Sequence, residues 1–413
     1  MAAAMRQDRW LDRVLASPYR PFFLAAATWA PVVVAVTEWP GLGPGAASPL
    51  GSLAGWHGHE MIFGFAAAGF AGYALTAMSS WSTANTMARW HLLALIGAWM
   101  LGRLAAWGGL GQDPRVVVPA GAAFMVLLAC TLGARAWRTG AWRGAVQAAF
   151  ATTLGLMQVT ILLGGGTLQG AVIGFCLLLS VVGARIVAAF TWNRLDCAAA
   201  PTLRFAGARW LGWPSAGAMV LLLGLDLAGR GGVPAAAWLA FGAAAAETLR
   251  VLLWQSRRAS RTALLCMLHL GYLWLPIGLA LIGLSRITGA PLAAGDAMHA
   301  LAAGAVGCCI HAVASRPLAR RAAHHLKAAP VDVLGSATLW ISVPCRVFGP
   351  DYAALAQMAP VLWCTGWALF GFRHVLALHR PVPHPVFSGP RVRSRTSPVS
   401  ADVALPRPNR NDE

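Results

Sequence analysis

The stretch WHGHEMIFGFAAAGFAGYALTAMS, residues 56–79, decides the fold class of this chain. After Glu60 it contains no charged side chain, and an apolar run of about 18 residues or more is long enough to cross a bilayer as a helix. The whole chain is similar, since 58% of its 413 residues are hydrophobic and only 11% are charged, whereas soluble proteins carry about 25% charged residues. The apolar residues come in unbroken runs and do not alternate, which excludes a membrane β-barrel. The sequence therefore predicts an all-α integral membrane protein.

Twelve such runs predict a polytopic helical bundle of about twelve transmembrane helices. They cover residues 20–37, 56–79, 90–108, 115–137, 143–164, 168–192, 209–229, 232–255, 262–284, 296–316, 330–348 and 353–374. We expect a cytoplasmic N-terminal segment over residues 1–19, a membrane domain over 20–374, and a Pro- and Arg-rich disordered tail over 375–413.

The 32 Lys and Arg residues are distributed unevenly around these spans. With both termini on one side, 25 of them fall on that side, four on the other side, and three within spans. Cytoplasmic loops are enriched in Lys and Arg, so we predict that both termini are cytoplasmic. The net charge of +18 would suggest a nucleic-acid partner in a soluble protein. Here its placement follows the topology, and we expect a lipid bilayer and no nucleic acid as the partner.

The eight cysteines lie mostly within apolar runs and lack the paired spacing of a disulfide framework, so we expect free thiols. The first apolar run follows Asp8 and Asp12 and has no convincing cleavage site, so we interpret it as a first span and not as a signal peptide.

Ionisable groups within spans are candidate functional residues, because each is costly in lipid unless it is paired, hydrated or bound to a metal. His57, His59 and Glu60 open the second span at the predicted outer face. Histidines two positions apart point to nearly opposite sides of a helix, so they would share a metal only from a turn, or would serve two sites. Glu60 could accept a hydrogen bond from an imidazole N–H. The alternative is that these histidines only cap the start of a helix at the interface.

Three arginines also lie within spans. Arg103 is near the outer face, whereas Arg185 and Arg250 lie toward the cytoplasmic end. A buried guanidinium needs a carboxylate, and arginine suits the propionates of a haem. The alternative is a side chain that reaches from a helix end to the interface, and we favour this for Arg250, which lies close to Glu247.

The histidines of the last third of the chain fall into two layers. His299 has the predicted depth of His57 and His59, while His269 and His311 share an inner layer. A haem held between two spans needs one neutral imidazole from each at the same depth, which the outer layer supplies. Cys266 with His269, and Cys308 with His311, form pairs three residues apart that would suit Cu(I). Buried cysteine is common in helices, so this second pattern has little specificity.

Several motifs keep their order over about residues 18–316. They are PYRPFF (18–23), WHGHEM (56–61), FGF (63–65), LTA (75–77), Gly102-Arg103, FTWN (190–193), HLGYLWLP (269–276), and HAL (299–301) followed by Gly304-Ala305. In combination they resemble the NnrS family of bacterial membrane proteins. The resemblance implies a multi-pass inner-membrane protein that contains non-covalent haem and copper. It also implies a link to nitric oxide, as the small-molecule ligand, through denitrification or the response to nitrosative stress.

The resemblance also implies functional positions. The candidate haem and copper ligands are His57, His59, His269 and His299, and the supporting polar groups are Arg20, Glu60, Arg103, Arg185 and Asn193. Which metal each histidine binds stays open, as does the choice between catalysis and another role.

One segment departs from the family pattern. After Arg316 the family has a histidine where this chain has Arg321, followed by His324 and His325. If that histidine ligates a metal in relatives, this chain has lost a site, has moved the role to His324 or His325, or belongs to a divergent branch.

Three functions fit this sequence. The first is a haem and copper protein that handles nitric oxide or protects against it. The second is a transporter of a metal or small solute, with the buried His, Arg and Glu along its path. The third is a sensor or assembly factor that docks through the basic tail.

Overall fold

A computed structural model of the chain describes residues 10–39, 41–78, 87–194, 208–287, 289, 292–321 and 326–388. In these residues twelve long helical segments follow one another, each overlapping one predicted span. In chain order, α1 to α12 are Tyr19–Glu38, Leu53–Met78, Arg89–Trp107, Pro114–Thr139, Trp142–Leu162, Leu168–Arg194, Ala208–Leu227, Pro234–Leu253, Ala263–Ser285, Ala294–Ala314, Pro330–Val347 and Ala353–Ala377. The predicted all-α polytopic bundle is confirmed.

Ten of these helices are long and apolar enough to cross a membrane by length and composition. The other two, α3 and α11, have 19 and 18 residues. Each carries two charged side chains, Arg89 and Arg103 in α3, and Asp332 and Arg346 in α11, which lower its hydropathy. The shorter elements are helical turns at Trp10–Val14, Gly45–Ala47, Ser256–Ala259 and Gly349–Asp351, and an antiparallel pair of two-residue strands, Arg320–Arg321 and Leu326–Lys327.

Local sequence sets several helix ends. Ser52 and Thr167 begin α2 and α6 by accepting hydrogen bonds from the backbone N–H of Gly55 (3.0 Å) and Gly170 (3.1 Å). Gly140 ends α4 in the left-handed conformation with φ 63°, which glycine adopts without steric cost.

The second helix, α2, is the centre of the bundle. In its most apolar window 89% of the residues are buried, against 17% in α7 at the periphery. It packs against α1 and α10, and α1 also packs against α12. The first and last helices are joined directly, because Trp363 Nε1 donates to the Ala30 carbonyl (3.3 Å) and His374 Nε2 to the Arg20 carbonyl (2.9 Å). The chain therefore closes on itself around α2.

Three central helices contain wide π-helical turns. These lie at Glu60–Ala66 in α2, Leu179–Gly183 in α6 and Ala300–Gly307 in α10. Such turns are rare in proteins overall, but those that occur are often at functional sites. Two of the three begin immediately after a candidate ligand, His59 in α2 and His299 in α10.

The start of the expected disordered tail is ordered. The helix α12 extends to Ala377, and Phe387 is only 9% exposed. Arg316 Nε donates to the Phe387 carbonyl (2.7 Å), and Arg321 donates to the Ser388 carbonyl (3.0 Å). The structure therefore describes the first part of the expected tail, residues 375–388, and residues 389–413 lie outside the described part.

Free thiols are confirmed for the seven cysteines that the structure describes. Cys197 lies outside the described residues.

Candidate metal centre at the outer face

Two histidines from different helices meet at the predicted outer end of the bundle. His57 lies in the second turn of α2 and His299 in the second turn of α10, and both are half-buried. Their ring centroids are 6.5 Å apart, and the ring planes are inclined by 40°. The structure thus brings together one histidine of the second span and one of the tenth, at one depth.

The hydrogen bonds of the two rings assign their tautomers. His299 Nδ1 lies 2.7 Å from the Gly295 carbonyl oxygen, which can only accept, so Nδ1 carries the proton. The Thr37 hydroxyl donates to the Val33 carbonyl (2.7 Å), so at 2.9 Å it accepts from His57 Nδ1. In the neutral form, each ring therefore keeps its Nε2 lone pair, which is the form that binds a metal.

An ion pair borders this histidine pair. Arg346 of α11 lies 2.8 Å from Asp296 of α10, and its charge acts on both imidazoles. The Arg346 side chain is 39% exposed, so its guanidinium has N–H groups left over from the pair with Asp296 at the edge of the site.

His59 faces the opposite way, as the two-residue spacing predicts. It is fully buried, and its Nδ1 lies 2.9 Å from Glu60 Oε1, while Gln158 Nε2 of α5 lies 3.2 Å from its Nε2. Both ring nitrogens are therefore hydrogen-bonded within the protein. Glu60 therefore accepts a hydrogen bond from the His59 imidazole, the role that its place in the sequence suggested.

Glu60 also binds two further groups, and we call these five side chains the Glu60 network: Trp29, His59, Glu60, Arg103 and Gln158. Trp29 Nε1 donates to Glu60 Oε2 (2.7 Å), and Arg103 Nε lies 2.6 Å from the same oxygen. Arg103 also donates to the Phe63 carbonyl (2.9 Å). Arg103 is thus paired with a buried carboxylate, as expected for a guanidinium within a span. The Glu60 network holds α1, α2, α3 and α5 together.

His269 lies apart from the outer pair, in the inner half of α9. The Ser256 hydroxyl donates to the Val251 carbonyl (2.8 Å), so it accepts from His269 Nδ1 at 2.9 Å. The Thr191 hydroxyl lies 2.8 Å from His269 Nε2 and is its donor. Both nitrogens of His269 are engaged, and the structure does not bring this residue to the His57–His299 pair.

The remaining predicted residues lie at the predicted cytoplasmic end. Arg20 is buried and donates to the backbone carbonyls of Arg13 (2.7 Å) and Arg380 (2.5 Å), so it joins the two ends of the described chain. Arg185 stacks on Trp142 with its guanidinium carbon 4.6 Å from the ring centroid. Asn193 is exposed near the end of α6.

A second buried charge network was missed from the sequence. Arg250 NH1 lies 2.8 Å from Glu247 Oε1, and Ser180 and Ser215 each donate to the same oxygen at 2.5 Å. Tyr272 donates to Glu247 Oε2 (2.7 Å). Arg250 is only 5% exposed, so the interpretation of it as a side chain that reaches out to the interface is wrong. The signal was present, since Glu247 and Arg250 are three apart on one helix face.

The inner Cys and His pairs form no evident cluster. Across the described ranges, no three His, Cys, Asp or Glu side chains come together as a metal-ligand group. The two histidines that follow Arg321, His324 and His325, lie outside the described residues. Arg321 itself donates to the Ser388 backbone carbonyl (3.0 Å), so the structure gives it a bond to the C-terminal segment.

A comparison with protein families matches residues 13–381 of the chain to the family described as NnrS protein. A comparison with curated proteins matches none of them.

Proposed function

Because the chain belongs to the NnrS family, which the match over residues 13–381 shows, we propose that it takes part in the bacterial response to nitric oxide through a metal centre held by His57 and His299 in the inner membrane. The observation that carries this proposal is the 6.5 Å distance between the ring centroids of the two imidazoles, together with the hydrogen bonds that leave a lone pair on each Nε2.

The spacing of the rings suits a shared metal. A metal–imidazole nitrogen bond is about 2.0–2.1 Å long, so two histidines that share one ion must bring their rings close to a common point. The ring centroids of His57 and His299, 6.5 Å apart, are close enough for this. Neutral imidazole binds both haem iron and copper, so the donor set fits either group.

The chain's own groups prepare this pair for a metal. Thr37 and the Gly295 carbonyl fix the protons on Nδ1, so that each Nε2 keeps the lone pair that a metal needs. Arg346 provides a cation at the edge, which suits a haem propionate. Bound here, haem iron or copper would supply the coordination chemistry that binds nitric oxide, a small apolar molecule able to enter from the bilayer.

The test compares His57→Ala and His299→Ala with the matched control His91→Ala. His91 lies near the cytoplasmic end of α3 and hydrogen-bonds Thr131 (2.8 Å), away from the pair. Full-length protein is purified from membranes, and haem is measured by its Soret absorbance and copper by elemental analysis. We expect each site variant to lose most of the bound metal and the spectral response to nitric oxide, because each removes one of two ligands. The control should keep the metal and the response.

Unchanged haem and copper content in both site variants would refute the assignment. Protein without haem or copper that takes up a solute in vesicles would instead favour a transporter. Loss of haem alone, or of copper alone, identifies which metal the pair holds.

A further inference from the structure

A large pocket opens at the cytoplasmic end of the bundle, opposite the histidine pair. Its volume is about 690 Å³, within the range of small-molecule sites. Four arginines from four helices line it, and we call it the arginine pocket: Arg143 of α5, Arg185 of α6, Arg209 of α7 and Arg250 of α8.

The charge of this pocket is unbalanced. Glu247 neutralises Arg250, but within the described part of the chain no carboxylate lies within ion-pair distance of Arg143, Arg185 or Arg209, and no Asp or Glu lines the pocket. Arg185 is held against Trp142, 4.6 Å from its ring centroid, which leaves the edge of its guanidinium free to donate. Three like charges around one cavity repel one another, and a bound anion would offset that repulsion.

A buried polar group also faces this pocket. Gln147 is only 4% exposed, and its Oε1 has no hydrogen-bond partner among the described residues. Buried amide groups are normally bonded, so this oxygen indicates a donor that the described residues do not supply, such as a hydroxyl group or a water bound with a ligand.

The end of the arginine pocket that lies deeper in the bundle is apolar. Tyr73, Val182 and Ile186 line both the arginine pocket and a neighbouring cavity of about 80 Å³, which is otherwise walled by side chains such as Phe70, Phe175 and Leu268. The two spaces together therefore offer cationic donors at one end and hydrocarbon contacts at the other. This combination suits an amphiphile with an anionic head.

We propose that the arginine pocket binds an anionic phospholipid of the cytoplasmic leaflet, with its phosphate on Arg143, Arg185 and Arg209 and part of an acyl chain directed past Tyr73 and Val182. Guanidinium groups bind phosphate through paired hydrogen bonds. Basic pockets between transmembrane helices on the cytoplasmic side are where anionic lipid heads are recognised. The proposal is independent of the metal centre, since the two sites lie at opposite ends of the bundle.

The test uses the triple variant Arg143→Gln/Arg185→Gln/Arg209→Gln of the full-length protein. The matched control Arg138→Gln/Arg257→Gln/Arg258→Gln removes the same charge from exposed cytoplasmic-side positions outside the pocket. Detergent-purified proteins are titrated with phosphatidylglycerol, phosphatidylcholine or inorganic phosphate, and bound lipid is counted by native mass spectrometry. We expect the parent and control proteins to retain phosphatidylglycerol over phosphatidylcholine, and the triple variant to bind it about a hundredfold more weakly.

A second variant tests the apolar end. Val182→Phe narrows the passage without changing charge, and we expect it to weaken phosphatidylglycerol binding while the protein still elutes as the parent does on size exclusion. Equal weakening in the triple variant and in its control would overturn the site, because it would reflect net charge alone. Inorganic phosphate that binds as tightly as the lipid would overturn the lipid assignment. Loss of haem absorbance in the triple variant, with lipid binding unchanged, would also overturn it and assign the arginines to haem propionates.

Discussion

Glu60 connects three other side chains of the Glu60 network directly. It is fully buried and contacts His59, Trp29 and Arg103 at 2.6–2.9 Å. Removal of one member of a buried ion pair is costly, because the partner charge then lies in a medium that cannot solvate it.

We predict that Glu60→Gln lowers the free energy of unfolding by about 3 kcal/mol or more. The Arg103 guanidinium would lose its carboxylate while it stays 7% exposed. The free energy is measured by steric trapping of the full-length protein. The control Arg89→Gln breaks the exposed pair with Asp12, where the two side chains are 64% and 35% exposed, and it should cost at most about 1 kcal/mol.

The double variant Glu60→Gln/Arg103→Met should recover part of the lost stability, because it removes both charges together. Equal losses for Glu60→Gln and Arg89→Gln would contradict a special role for the Glu60 network.

Much of this network was foreseeable at the residue scale. The two-residue spacing of His57 and His59 predicted opposite directions, and the depth of Arg103 matched that of Glu60. Thr37, the partner of His57, and Gln158, the partner of His59, were not foreseeable. Nothing in the local sequence of α1 or α5 indicates which helix face turns toward α2. That choice is made by packing among helices distant in sequence.

At the scale of elements, α11 and α12 come into unusually close contact. A Cβ atom at position 366 would lie 2.5 Å from Leu339 Cγ and 2.9 Å from the Gly335 carbonyl oxygen. Small residues allow transmembrane helices to approach at the backbone, where dispersion contacts and weak Cα–H···O bonds stabilise them.

We predict that Gly366→Ala destabilises the protein by about 1–3 kcal/mol, since the added methyl group must push the two backbones apart. The control is Gly97→Ala on the exposed side of α3, where a Cβ would meet nothing within 4 Å. Thermal denaturation followed by size exclusion compares the two. Alanine favours a helix over glycine, so helix propensity alone predicts no loss in Gly97→Ala. A loss there as large as in Gly366→Ala would contradict the explanation by helix contact.

The positions of the helices were predicted well, because length and hydropathy fix them, but their internal geometry was not. The π-helical turns at Glu60–Ala66 and Ala300–Gly307 leave no recognisable mark in composition. Each wide turn changes the register of a helix, and so alters which residues of α2 and α10 face each other. The meeting of His57 with His299 therefore depends on a feature that hydrophobic periodicity does not encode.

For the whole molecule, the charge asymmetry predicts one orientation. Twelve spans with 25 Lys and Arg on one side place both termini in the cytoplasm. The histidine pair then faces outward, and the arginine pocket faces inward.

We predict that a reporter fused after Gly111, between α3 and α4, lies outside, and that one fused after Gly140, between α4 and α5, lies inside. Alkaline phosphatase should be active only at the first position, and a fluorescent protein should fold only at the second. As controls, each reporter is also fused at the other position, where it should be inactive. The reverse pattern would invert the molecule and would move the histidine pair to the cytoplasmic side.

The central position of α2 also has a consequence for biosynthesis. This segment leaves the ribosome second, yet α10 and α12, which complete the enclosure of its apolar surface and of α1, are made hundreds of residues later. Glu60 is already paired at that stage, because the groups that it binds, Trp29, His59 and Arg103, come from the first three helices. The nascent chain can thus pair this buried carboxylate during insertion, while the surface that meets His299 stays open to lipid until α10 is made.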